Sequence, residues 1–215
     1  GAPLVRADLC TEAIRLGRLL RSLLEPKPPA EATALLALML LHVSPREARL
    51  DNEGDLVVLE EQDRTLWNKP QINEALALVQ EALAGEPGPF SLEAAIAAEH
   101  CKAARPEDTN WSQIVRLYDL LAEIMPSPIV SLNRSVAVAM AQGPQAALEL
   151  IDELAATGEL DEYHLLHAAR ADMLRRLGSN DEAAESYKTA LELVTNDSER
   201  RFLERRLREV RSLPQ

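Results

Sequence analysis

The sequence predicts an all-α chain, a stacked array of about ten helices with one short β-hairpin insertion. Three observations carry that prediction. Leu and Ala supply 37 and 32 of the 215 residues, whereas Phe, Trp and Tyr together supply only seven. Ala and Leu head the helix scale, and strands draw on β-branched and aromatic side chains, so this composition excludes a β-sandwich or barrel. Apolar residues also recur at helical spacing along most of the chain, with the Gly and Pro residues falling mostly between those stretches as punctuation.

The elements follow in order. Leu9, Ala13, Leu16, Leu20 and Leu24 line one face of a first helix, opposite Arg15, Arg18 and Arg21, and Pro26 to Pro29 break it. Glu31 to Leu41 form a second helix. Arg46 to Trp67 departs from the helical pattern. Asn52-Glu53-Gly54 is turn chemistry and Leu56-Val57-Val58-Leu59 is the best β-run, so a hairpin is expected near 48–59, then an ordered loop to Trp67. Ile72, Leu76, Val79 and Leu83 mark a third helix, ended by Gly85 to Pro89, and Leu92 to Cys101 a fourth. Asp108-Thr109-Asn110 offers caps for a fifth, in which Ile114, Leu117, Leu121 and Ile124 share a face. Further helices are expected near 127–142, 144–157, 161–177, 181–194 and 198–211. The organisation read from this is an N-terminal helical lobe over 1–104, with the hairpin, and a repeat region with a capping helix over 105–215.

The later helices repeat. Laying 127–160 over 161–194 sets Ala137 on Ala171 at an offset of 34, and sets Ala147, Ile151 and Leu154 on Ala183, Tyr187 and Ala190 at an offset of 36. A helix–turn–helix period of 34 residues is that of tetratricopeptide (TPR) repeats. That packing needs a small residue where helices cross (Ala137, Ala171), Gly at the turn (Gly178), and small–aromatic–small in the second helix (Ala183, Tyr187, Ala190). Such units stack into a superhelix that needs a terminal cap. The last helix, with six Arg against three Glu over 198–211 and with Phe202, Leu203, Leu207 and Val210 turned inward, fits that role.

Charge narrows the function classes. The net charge of −12 supplies no counterion-release term for a phosphate backbone or an anionic membrane surface. The longest apolar run, in Leu35–Leu41, is far short of the roughly 20 residues of a membrane span, and the N-terminal residues carry no signal-peptide pattern. Cys10 and Cys101 form no framework or metal pattern and suit a reducing cytoplasm.

Catalytic constellations are hard to assemble. His164 and His167 lie one helical turn apart, but without the intervening Glu of a zincin helix or a marked third ligand they read as packing residues. His42 and His100 end apolar helices, and sequence gives no reason to pair Cys101 with any histidine. Asp51-Asn52-Glu53-Gly54-Asp55 has its Gly at the fourth position, where a calcium loop needs it at the sixth. Glu60, Glu61 and Asp63 have no accompanying nucleophile. The expectation is a protein that is not an enzyme and that carries no cofactor or metal. Residues 51–63 hold six acids and no base. Two roles stay open: Glu60, Glu61, Asp63 and Arg64, with Trp67 as a buried anchor, form a surface that docks a basic partner, or the acids belong to a polar network neutralised by Arg64, Arg46 and Arg49.

Several segments carry a resemblance in combination. They are 9–20, Leu38 to His42, Leu59 to Arg64 with Trp67, Ser131 to Ala137, and Tyr163 to Gly178. In this order, over about Pro3 to Val210, they resemble the C-terminal extension of a group of bacterial extracytoplasmic-function sigma factors, of the sigma-70 class. The resemblance implies a TPR-like domain that follows DNA- and polymerase-binding regions, with sigma activity belonging to a longer parent. It also implies RNA polymerase or the parent's own DNA-binding regions as partners, DNA contact only through those upstream regions, and a regulatory role. A free-standing TPR adaptor that binds a peptide or a small ligand in its groove is the other expectation.

Overall fold

The computed structural model describes residues 6–26 and 28–212. Among these the chain forms ten α-helices and no strand. They are α1 (Ala7–Leu23), α2 (Ala30–Val43), α3 (Lys69–Ala82), α4 (Pro89–Lys102), α5 (Trp111–Ile124), α6 (Pro128–Gln142), α7 (Pro144–Ala155), α8 (His164–Arg176), α9 (Asn180–Leu193) and α10 (Asp197–Ser212). Single 3₁₀ turns cover Arg46–Ala48, Arg64–Leu66 and Pro106–Asp108.

The chain divides into two compact units. One comprises the described residues of Pro3–Glu53 and Val57–Met125, the other Gly54–Leu56 and the described residues from Pro126 onward. The division falls after Met125 rather than at the expected 104/105. The reason is packing: α5 lies against α4, so it belongs with the helices before it.

In the first unit α2 is the central element, in contact with α1, α3 and α4. Its Ala34, Leu36, Ala37, Leu40 and Leu41 are all buried. Helix α1 meets α2 at Gly17, where a Cβ would lie 2.6 Å from Met39 Cε and 3.3 Å from Leu36 Cδ1. That close approach sets which way α1 faces. Ile14 is its buried residue, while the apolar face predicted from Leu9, Ala13, Leu16, Leu20 and Leu24 is exposed. Asn68 and Asn110 cap α3 and α5, each side-chain oxygen accepting a backbone N–H one turn on.

The second unit contains the helix pairs α6–α7 and α8–α9, closed by α10. The predicted packing positions are buried: Ala137 and Tyr187 are 2% exposed, and Ala171, Ala183 and Ala190 are 0% exposed. Gly178 follows α8 at φ +82°, a conformation that costs an L residue, and Ser179 N–H donates to Leu174 O across it. Gly143 serves the α6–α7 turn in the same way at φ +104°. On α10, Leu203 and Val210 are buried and Phe202 and Leu207 pack beside them against Ala171, Ala183 and Tyr187. Arg200 donates to Leu191 O and Val194 O, covering carbonyls left open at the end of α9.

The hairpin near 48–59 is corrected. The segment forms no ladder among the described residues, and Val57 N–H donates to Arg49 O at 2.9 Å. The carbonyls a partner strand would use are taken by side chains. Gln62 Nε2 donates to Val57 O at 3.1 Å, and Arg201 Nη2 donates to Gly54 O at 2.7 Å. A β-run alone does not make a strand when its backbone finds partners elsewhere.

Candidate interaction surface

The segment between Leu59 and Trp67 carries the five residues singled out by sequence, and the structure separates them into two groups. Arg64 and Trp67 are buried, at 7% and 3% exposure, whereas Glu60, Glu61 and Asp63 are exposed. Trp67 packs with Ala48 and Ile72 in a small core that Leu59, Leu76 and Cys101 extend. The Arg64 guanidinium lies over the Trp67 ring, 4.7 Å from its centroid. Its Nη1 donates to His100 O at 2.8 Å and to Ala103 O at 2.6 Å. Those two carbonyls end α4, where the helix leaves acceptors open and where its dipole favours a cation. Arg64 is therefore the C-terminal cap of α4, supplied from a segment 36 residues earlier.

The acids are held in other ways. Asp63 Oδ1 accepts from Thr65 Oγ1 at 2.6 Å and from Thr65 N at 2.9 Å, and these bonds hold its carboxyl below the usual range. Of the arginines expected to neutralise this cluster, Arg46 pairs with Glu47, Arg49 donates to His42 O and Arg64 caps α4, while Glu61 is itself partnered. The acid at Asp55 is met instead by Arg201, with Arg205 Nη1 at 3.9 Å. Arg201 and Arg205 escaped the sequence reading as partners of Asp55. The complementary charge of 51–63 and 198–211 was the available signal.

The remaining candidates resolve into structural contacts. His167 Nε2 lies 2.8 Å from Asp161 O and His164 Nε2 lies 3.3 Å from Glu199, so the two imidazoles address different partners. No group of three or more His, Cys, Asp or Glu among the described residues is placed to hold a metal ion. Asp51 Oδ1 accepts from Glu53 N–H as a turn. Burial pushes the Cys101 thiol up, and its sulfur sits 4.0 Å from Ser44 Oγ. Burial first, then the Arg64 charge, pulls His100 down to about 4, and its ring stands edge-on to Trp111 at 5.1 Å. A thiol held protonated and an imidazole of low basicity are each poorly tuned for nucleophilic chemistry.

His100 gives a pH dependence with a definite sign. It is neutral when folded at pH 7, and the unfolded chain takes up its proton near about 6.5. Stability is therefore complete above that pH and is lost as pH falls toward the folded value of about 4. The loss at pH 5 should be about 2 kcal/mol. Denaturant titrations at pH 7.5 and 5 should show that difference in the wild-type chain, and His100→Asn should remove most of it.

Residues 1–83 match a family of unknown function, DUF6596. An uncharacterized protein of Rhizobium meliloti (strain 1021) is 45% identical over 212 residues, covering 98% of this chain and 49% of the relative. The chain thus spans about half the length of the curated relative it matches. Among solved structures, a thermophilic TPR protein of Thermus thermophilus superposes with a TM-score of 0.54 at 19% identity, covering 95% of this chain and all of that one. At that identity the likeness speaks for fold alone, and the fold it supports is an all-α helical repeat. No helix among the described residues is long and apolar enough to cross a membrane.

Proposed function

We propose that this chain is the regulatory, protein-contacting module of a bacterial extracytoplasmic-function sigma factor, acting in the cytoplasm as part of a longer protein. The observation that carries the reading is the arrangement at 60–67. Three carboxylates, Glu60, Glu61 and Asp63, face solvent on a segment fixed from beneath by Arg64 and Trp67. A fixed acidic surface suits a basic partner, and regions that touch DNA are basic. The length of the Rhizobium relative supports a longer parent, and helical repeats commonly present extended binding surfaces. The sigma identity itself rests on the sequence resemblance. RNA polymerase or the parent's own DNA-binding regions are the partners, DNA is reached only through those regions, and the module has no catalytic role, cofactor or membrane contact.

The test uses the full-length parent. Replacing Glu60, Glu61 and Asp63 with Gln, Gln and Asn should leave melting within about 0.5 kcal/mol of wild type, as expected for exposed sites, while changing promoter-dependent transcription. Normal melting with normal transcription would remove this surface from the account. A second reading, a free-standing TPR adaptor for a peptide or small ligand, fits the helical-repeat fold shared with the Thermus TPR protein. A gene that encodes no sigma regions in frame with this chain would select it.

A further inference from the structure

Helix α1 presents a second surface, apolar and unrelated to the acidic segment. Leu9, Leu16 and Leu23 recur two turns apart, with exposures of 57%, 49% and 73%, and Leu20, at 45%, lies on the same side. Leu19 and Leu24 widen the stripe at 44% and 38% exposure. Contiguous exposed apolar surface of this kind marks an interaction site rather than a solvated face. The opposite side of α1, at Ile14 and Gly17, is already used against α2, so the stripe is not the helix's own core contact.

The edges of the stripe say what kind of partner fits. The arginines of α1 are paired: Arg15 with Glu12, Arg18 with Glu74 and Arg21 with Glu81. Its charges are met by the chain itself, so the occupant is selected by apolar shape. A ridge of leucines repeating every two turns is the pattern that receives an amphipathic helix. The relative of which this chain spans 49% carries as much chain again outside the match.

We infer that the α1 leucine stripe is the docking face for an amphipathic helix from the other half of the longer chain. The inference rests on the reading above insofar as that reading requires a longer parent, and it adds the place where the two halves meet. Sigma activity is not needed for it.

The experiment reads side-chain protection directly. Leu20→Cys is placed in a background of Cys10→Ser and Cys101→Ala, with Leu165→Cys on α8, 41% exposed, as a separate control. Maleimide labelling is timed in the 215-residue chain and in the full-length parent, with folding of each confirmed by melting. Docking predicts labelling of Leu20→Cys slower in the parent by at least about tenfold, with the control equal in both. Equal rates in the two chains overturn the inference. Slow labelling in the short chain that quickens on dilution assigns the stripe to a second copy and overturns it, and a parent no longer than this chain overturns it as well. Protection in a parent that directs no transcription would keep the docking face and remove the sigma reading.

Discussion

Tyr187→Ala should cost the second unit about 3–4 kcal/mol, the largest effect expected of any single truncation in the repeat region. Tyr187 is 2% exposed and packs in one cluster with Ala171, Ala183, Ala190 and the α10 residues Leu203 and Val210. Truncation removes a ring from a site whose neighbours sit on three helices, so the surroundings can collapse only in part. The transition followed by circular dichroism should fall by roughly 12–30 °C for a unit of this size. The converse change tests the same register. Ala171→Leu adds bulk at a position with 0% exposure and should cost about 1–3 kcal/mol by overpacking. An unchanged melting temperature in both variants would mean that the helices do not cross where the repeat places them.

Arg64→Ala should destabilise the first unit by about 3 kcal/mol. Two effects add. The carbonyls of His100 and Ala103 lose a charged donor, and charged hydrogen bonds contribute about 1.5–3 kcal/mol. The Trp67 ring also loses the guanidinium that covers it at 4.7 Å. Arg64→Lys should recover less than half, because a point charge on a flexible stem cannot both stack and span two carbonyls. Trp67 and Trp111 are the only tryptophans and both lie in this unit, so a urea titration read by fluorescence reports it specifically. A loss below about 0.5 kcal/mol would show that Arg64 is a surface residue in effect, and would return it to the candidate docking set.

What the sequence made legible was what short-range chemistry decides. The bounds of α6 to α10 follow from period, Pro and Gly, and the repeat positions follow from a steric rule, small residues where helices cross. Trp67 as a buried anchor was legible for the same reason, since a large apolar ring has few places to go. Three features were hidden because their causes are distant in the chain. The hairpin failed because Arg201, 147 residues later, takes Gly54 O, which no local β-propensity reveals. The stripe of α1 was legible as a stripe, but its direction was decided by Gly17 against Met39. The unit boundary moved because α5 packs on α4, a choice that the loop at 103–110 does not encode. At the candidate surface, Arg64 was read with the acids beside it, whereas the end of α4 presents two unpaired carbonyls that bind it more strongly.

The central claim is that this chain works by binding protein and leaves DNA to the rest of its parent. The direct measurement immobilises residues 1–215 and passes over it RNA polymerase, the remaining half of the parent, and a promoter duplex, each at physiological salt. The account predicts saturable binding of polymerase or the other half, weakened by the Glu60, Glu61 and Asp63 substitutions, and no binding of the duplex, because a net charge of −12 provides no counterion release. Specific binding of the duplex, or no binding of either protein, would contradict it.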